Sequence, residues 1–123
     1  MSTIKVDTIQ NTSGVQQYLA KAWVNFDGTS NAINGSGNVS SITDNGTGDQ
    51  TAGYSSAMPD ANYSVTTGTQ GIGSGGHPVT VCSTYEYAPP TTSQVRFVTG
   101  ASGGSGVTGF LFDNVKVYAT ITR

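Results

Sequence analysis

Apolar and polar residues alternate with a period of two along much of this chain, while the 3.6-residue period of a helix is nearly absent. The cleanest alternation lies near the end, where Val115, Val117, Ala119 and Ile121 are interleaved with Lys116, Tyr118 and Thr120. Successive side chains leave a pleated strand on opposite faces, so this pattern predicts a half-buried strand. Residues 19–26 predict a different kind of strand. Ala20, Ala22, Val24 and Phe26 share one face, and Leu19, Lys21 and Trp23 share the other. Both faces carry large apolar groups, which suits a strand that is central, sandwiched, or covered by another subunit.

Further strands are expected at 3–9, around Ala32 and Ile33, and at 39–43, 50–57, 63–67, 78–86 and 94–99. One long strand or two fill 107–122. Turn chemistry separates them. Asn11-Thr12-Ser13-Gly14 ends the first strand, and Asp27-Gly28 ends the second. Asn45-Gly46 supplies positive φ cheaply and predicts a hairpin between 44 and 49. Pro59 presets a turn at 58–62, and Ala88-Pro89-Pro90 breaks a strand. Residues 68–76 and 100–106 are Gly/Ser loops, and only 15–20 offers a turn of helix. About eight short strands at roughly 8–12-residue spacing indicate a sandwich or barrel. The expected fold is all-β: an antiparallel, jelly-roll-like β-sandwich over residues 19–123, preceded by an extended N-terminal arm, residues 1–18.

Composition narrows this picture. The chain has 123 residues, one domain's worth, with 35% hydrophobic and 10% charged residues. Leu19 and Leu111 are the only leucines, so Val, Ile, Phe and Tyr must build the core. A core this thin points to burial shared between subunits. The net charge is −2, and Lys5, Lys21, Arg96, Lys116 and Arg123 are scattered. Nucleic-acid binding is therefore not expected, since it needs several cations on one face. No apolar run approaches the length of a membrane span. Residues 1–5 lack the apolar core of a signal peptide, and Cys82 is the only cysteine. Both features fit assembly in a cytoplasm.

Three segments carry a resemblance to a known family. They are Ser2–Gln10, Ala20–Gly28 (Ala-Lys-Ala-Trp-Val-Asn-Phe-Asp-Gly), and Asn38–Asp49 followed by Ala57–Tyr63. In this order they resemble the first half of tail-fibre-like virion proteins of marine phages, of the cyanophage and pelagiphage type. The resemblance implies a virion structural protein, a tail fibre or receptor-binding protein, often trimeric. It implies assembly in the host cytoplasm and attachment to other virion proteins through the arm. Ile4, Val6, Leu19 and Trp23 are then the expected subunit interface. The loops with Gly71, Gly73, Ser74, His77, Ser102 and Gly104, together with Tyr85 and Tyr87, would face a host glycan or protein. The chain is short for a fibre and lacks shaft repeats, so a head decoration protein is the alternative, with a polysaccharide-degrading tail enzyme as a third reading.

Candidate catalytic and metal motifs fail on context. Gly100-Ala101-Ser102-Gly103-Gly104 matches a nucleophile elbow, but no helix can follow it. Gly71-Ile72-Gly73-Ser74-Gly75-Gly76 matches a dinucleotide fingerprint, but His77-Pro78 leads into a strand. His77 is the sole histidine; three copies on a trimer axis could bind a metal, though a loop histidine is the plainer reading. Asp44, Asn45, Gly46 and Asp49 form only part of a calcium loop and read as a hairpin turn. Glu86 and Asp113 are not paired by any pattern, as glycoside cleavage would need. No catalytic residue, metal or cofactor is assigned. Tyr85-Glu86-Tyr87 is expected to put two tyrosines on one strand face, suited to sugar stacking or an interface.

Overall fold

The computed structural model describes residues 2–6, 8–16, 19–70, 80–101 and 110–123. Among these residues, nine strands form two antiparallel sheets. The strands are β1 (Ala20–Phe26), β2 (Ile33–Gly37), β3 (Val39–Gly46), β4 (Asp49–Tyr54), β5 (Ser64–Thr69), β6 (Thr80–Thr84), β7 (Gln94–Ala101), β8 (Phe110–Leu111) and β9 (Val117–Thr122). The first sheet has the order β2-β1-β9-β5. The second runs β3-β4-β7-β6, with β8 also on β7. The fold is thus an all-β sandwich, as the alternation predicts; this strand order does not by itself establish a jelly roll.

One core joins the sheets. The first contributes Ala22, Val24, Phe26, Val117, Ala119 and Ile121; the second contributes Val39, Ala52, Val95 and Phe97, and Met58 closes the set from a loop. The inward positions of β1 and β9 fall in register, with Val24 opposite Ala119 and Phe26 opposite Val117. Burying these β-branched and aromatic side chains is the main favourable term for a fold with few charges.

Several sequence expectations are corrected. Residues 3–9 alternate like a strand, but the described ones lie in no ladder. Among the described residues of the arm, one bridge pairs Gln10 with Gln16. Alternation makes a strand only where an edge is available to pair with, and the described residues of 3–9 pair with no described strand. Its local order comes from Asn11, whose Oδ1 accepts N–H bonds from Ser13 and Val15, and from Gly14 at φ 77°. The turn of helix expected at 15–20 is absent from its described residues. The hairpin expected between 44 and 49 is present as β3–β4, with its turn at Thr47-Gly48, two residues beyond Asn45-Gly46. Strand β3 runs through Gly46, and Gly48 takes φ 65° between paired Gly46 and Asp49. Asn45 and Gly46 instead lie at an irregularity in the ladder. Strand β2 extends to Gly37 where a loop was expected, and Val115 is exposed ahead of β9. Tyr85 follows the end of β6, and the turn is closed by Ala88 N donating to Tyr85 O, so Tyr85 and Tyr87 do not share a strand face.

Candidate functional site

The outer face of the first sheet holds the exposed aromatic side chains of β1 and β9. Strand register builds it in rows. Trp23 lies opposite Gly37 on one side and Thr120 on the other, with Thr66 beyond Thr120. The next row is Gly35, Asn25, Tyr118 and Gly68. Directly opposite residues share a face, so these eight positions form a flat outer surface.

Trp23 has a defined posture on it. A Cβ added at Gly37 would collide with the five-membered ring of Trp23, and one at Gly35 would press on the six-membered ring at 3.3 Å. The indole therefore lies along β2, across two glycines, and is still 45% exposed. The sequence reading placed Trp23 under another subunit. Part of its cover instead comes from its own chain, because Gly35 and Gly37 leave room for it. Tyr118 is 39% exposed on the neighbouring strand. Asn25 Oδ1 accepts a bond from Asn34 Nδ2 at 3.4 Å.

The strands of this face, β1, β2, β5 and β9, carry no Asp or Glu, although Asp27 follows β1 at the end where Lys116 precedes β9. Lys21 lies two residues before Trp23 and Lys116 two residues before Tyr118, and both are exposed. Among the described residues, neither lysine has a carboxylate partner, whereas Arg96 pairs with Asp49 and Arg123 with Asp60.

The second sheet carries a chain of paired groups. Arg96 Nε and Nη2 donate to the two oxygens of Asp49 at 2.7 and 2.6 Å. This two-point bond to a charged donor holds the Asp49 carboxyl below its usual pKa. The Arg96 guanidinium sits 4.6 Å from the Tyr85 ring centre, and Tyr85 meets Tyr87 edge-on at 5.8 Å. Of the loop residues expected to contact a host, these two tyrosines are brought together, and Tyr87 is 84% exposed. Gly71, Gly73, Ser74, His77, Ser102 and Gly104 lie outside the described residues.

A buried polar seam closes one end of the sandwich. Asp113 Oδ1 accepts from Gly48 N at 2.7 Å and from Gln50 Nε2 at 3.2 Å. Gln50 Nε2 also donates to Gly28 O, and Gly28 N donates to Asn114 O. Thr99 Oγ1 donates to Phe112 O at 2.9 Å. Gln50, Thr99 and Asn114 are fully buried, and Gln50 Oε1 and the Asn114 side chain have no partner among the described residues. Other carboxylates are also tied into local structure. Asp27 Oδ1 accepts from Thr29 N and Ser30 N, and these backbone bonds, Thr29's foremost, lower its pKa. Asp44 accepts from Gly46 N.

The sequence reading named Trp23 and Tyr118 but missed Asn25, Thr120 and the two glycines as one surface. The signal was the Gly35-Ser36-Gly37 spacing, which puts both glycines on one strand face. Comparison with protein-family models, with curated proteins and with solved structures finds no match.

Proposed function

We propose that this chain is a noncatalytic phage virion protein of the tail fibre or tail tip, working as a homotrimer that contacts the host surface. One observation carries the reading most directly. The arm holds apolar side chains away from its own domain: Ile4 is 88% exposed, Val6 57% and Ile9 42%. Leaving such groups in water forgoes the stabilisation their burial would bring, and arms of this kind suit packing on other subunits or on the particle. The order of the three resembling segments supports the same reading. The engagement of Asp27, Asp44, Asp49, Asp60 and Asp113 in turns and pairs supports a noncatalytic role. Among the described residues, no helix is long and apolar enough to cross a membrane.

Antibody labelling of intact particles tests the location: label at the tail is expected, and label on the head replaces this reading with a decoration role. Sedimentation of the purified chain at micromolar concentration tests the assembly. A trimer is expected, and a monomer refutes the homotrimer.

A further inference from the structure

We propose that the outer face of β2-β1-β9-β5 is a binding site for an acidic glycan chain, a polysaccharide bearing uronate or similar anionic groups. This deepens the receptor-contact reading by naming a surface and a ligand chemistry, and it moves the contact from the loops to the sheet.

The geometry of Trp23 is the first argument. An indole laid along β2 on Gly35 and Gly37 turns one ring face to the protein and leaves the other open. An open, flat aromatic face is what the apolar C–H face of a pyranose stacks upon, because the ring's electron-rich surface attracts polarised C–H groups. The posture is also inexpensive to keep, since the neighbouring backbone already fixes it and binding freezes little further motion.

The second argument is the company Trp23 keeps. A protein-docking face is expected to have an apolar centre. Here the outward positions beside Trp23 are Asn25, Thr120, Thr66 and Tyr118, and the rest are glycine. Amides and hydroxyls spaced between aromatics match the alternation of C–H and O–H on a sugar. The third argument is charge. Lys21 and Lys116 flank the platform toward opposite ends, because β1 and β9 run antiparallel and each lysine precedes its aromatic by two residues. They stand roughly 20 Å apart along the strand direction, about six residues at the strand rise. The four strands carry no acid, and the Asp27 carboxylate at the Lys116 end is engaged by Thr29 N and Ser30 N, although the whole chain is at −2. A neutral glycan would leave both cations unused; an acidic chain running along the strands would meet one near each end.

Trp23 is the only tryptophan, so its fluorescence reports on this face alone. Purified full-length protein is titrated with oligogalacturonate and, separately, with dextran. Oligogalacturonate is expected to shift and quench the emission saturably, with affinity falling as salt rises. Trp23→Ala, read by affinity electrophoresis, is expected to weaken binding about tenfold, the loss of one stacking contact. Trp23→Phe restores part of it, and the double variant Lys21→Gln/Lys116→Gln weakens oligogalacturonate binding while circular dichroism stays unchanged. An unaltered emission with oligogalacturonate, equal affinity for dextran, or full binding by the lysine variant overturns the proposal. So does emission from the free protein that acrylamide cannot quench, which would make this face a contact between copies. Particle labelling away from the tail would remove the receptor role and leave these titrations untouched.

Discussion

Gly37 decides where Trp23 can lie. A methyl group there would occupy the space of the indole's five-membered ring, so Gly37→Ala should lift the ring off β2. The expected outcome is a red-shifted Trp23 emission and a stability loss of about 1–3 kcal/mol by urea unfolding, the usual range for forced overpacking. Arg96 offers a second test at this scale. Because Arg96 holds the Asp49 pKa below its ordinary value, the pair's contribution is full above the unfolded carboxylate pKa, near 3.9, and fades as pH falls through the lower folded value. Arg96→Gln should therefore lose stability relative to the parent at neutral pH, and the gap should close at low pH. Urea unfolding of both proteins across that range reads the sign; a gap that widens in acid would contradict it. Trp23 was legible in the sequence as a large apolar group on the second face of its strand, a face expected to be covered, whereas it is 45% exposed. Its resting place was not, because residues 35–37 read as loop and only strand register sets them beside Trp23.

At the scale of elements, the β3–β4 hairpin shows how a local signal and a long-range contact divide the work. Asn45-Gly46 announces a hairpin, yet the turn closes at Gly48, where φ is 65° and the N–H reaches Asp113. Thr99 N donates to Gly48 O, and Phe112 N donates to Thr99 O, so the turn is clamped from both sides. These partners lie far off in sequence and left no periodic trace. Gly48→Ala combines an unfavourable φ with a Cβ pressed against the Thr99 carbonyl and Phe112. It should cost about 1–3 kcal/mol. Gly46→Ala tests the other side of the turn: a Cβ there meets nothing within 4 Å, although φ is 133°. It should be the milder of the two, with only the backbone conformation opposing it, and thermal unfolding of both variants gives the comparison. Strands β1 and β9 were the most readable elements, since their buried positions alternate without interruption from Ala22 to Phe26 and from Val117 to Ile121. Tyr85 and Tyr87 were misplaced because alternation alone does not mark the residue at which a strand gives way to a turn.

At the scale of the molecule, no described residue of 1–18 belongs to the core cluster of the sandwich. Backbone hydrogen bonds within the arm link Asn11, Gly14 and Val15, and its exposed apolar groups add nothing to the core. Deleting residues 1–18 should leave the melting temperature of the sandwich within a few degrees, because no core residue is removed. The same deletion should abolish the proposed trimer in sedimentation; a truncated chain that still forms trimers would shift assembly to the sandwich. The sequence made the all-β class visible through period and turn chemistry. It could not show which strands become neighbours, since pairing is decided by non-local burial. One such pairing sets the order of events in the folding of this chain. Strand β9 lies between β1 and β5, so the first sheet stays without its middle until the last strand has been made. During synthesis β1 can pair early with β2, but its other edge must wait for β9, some ninety residues later. Folding should accordingly be slow and of high contact order, and the nascent chain should depend on whatever shields β1 until β9 has been made.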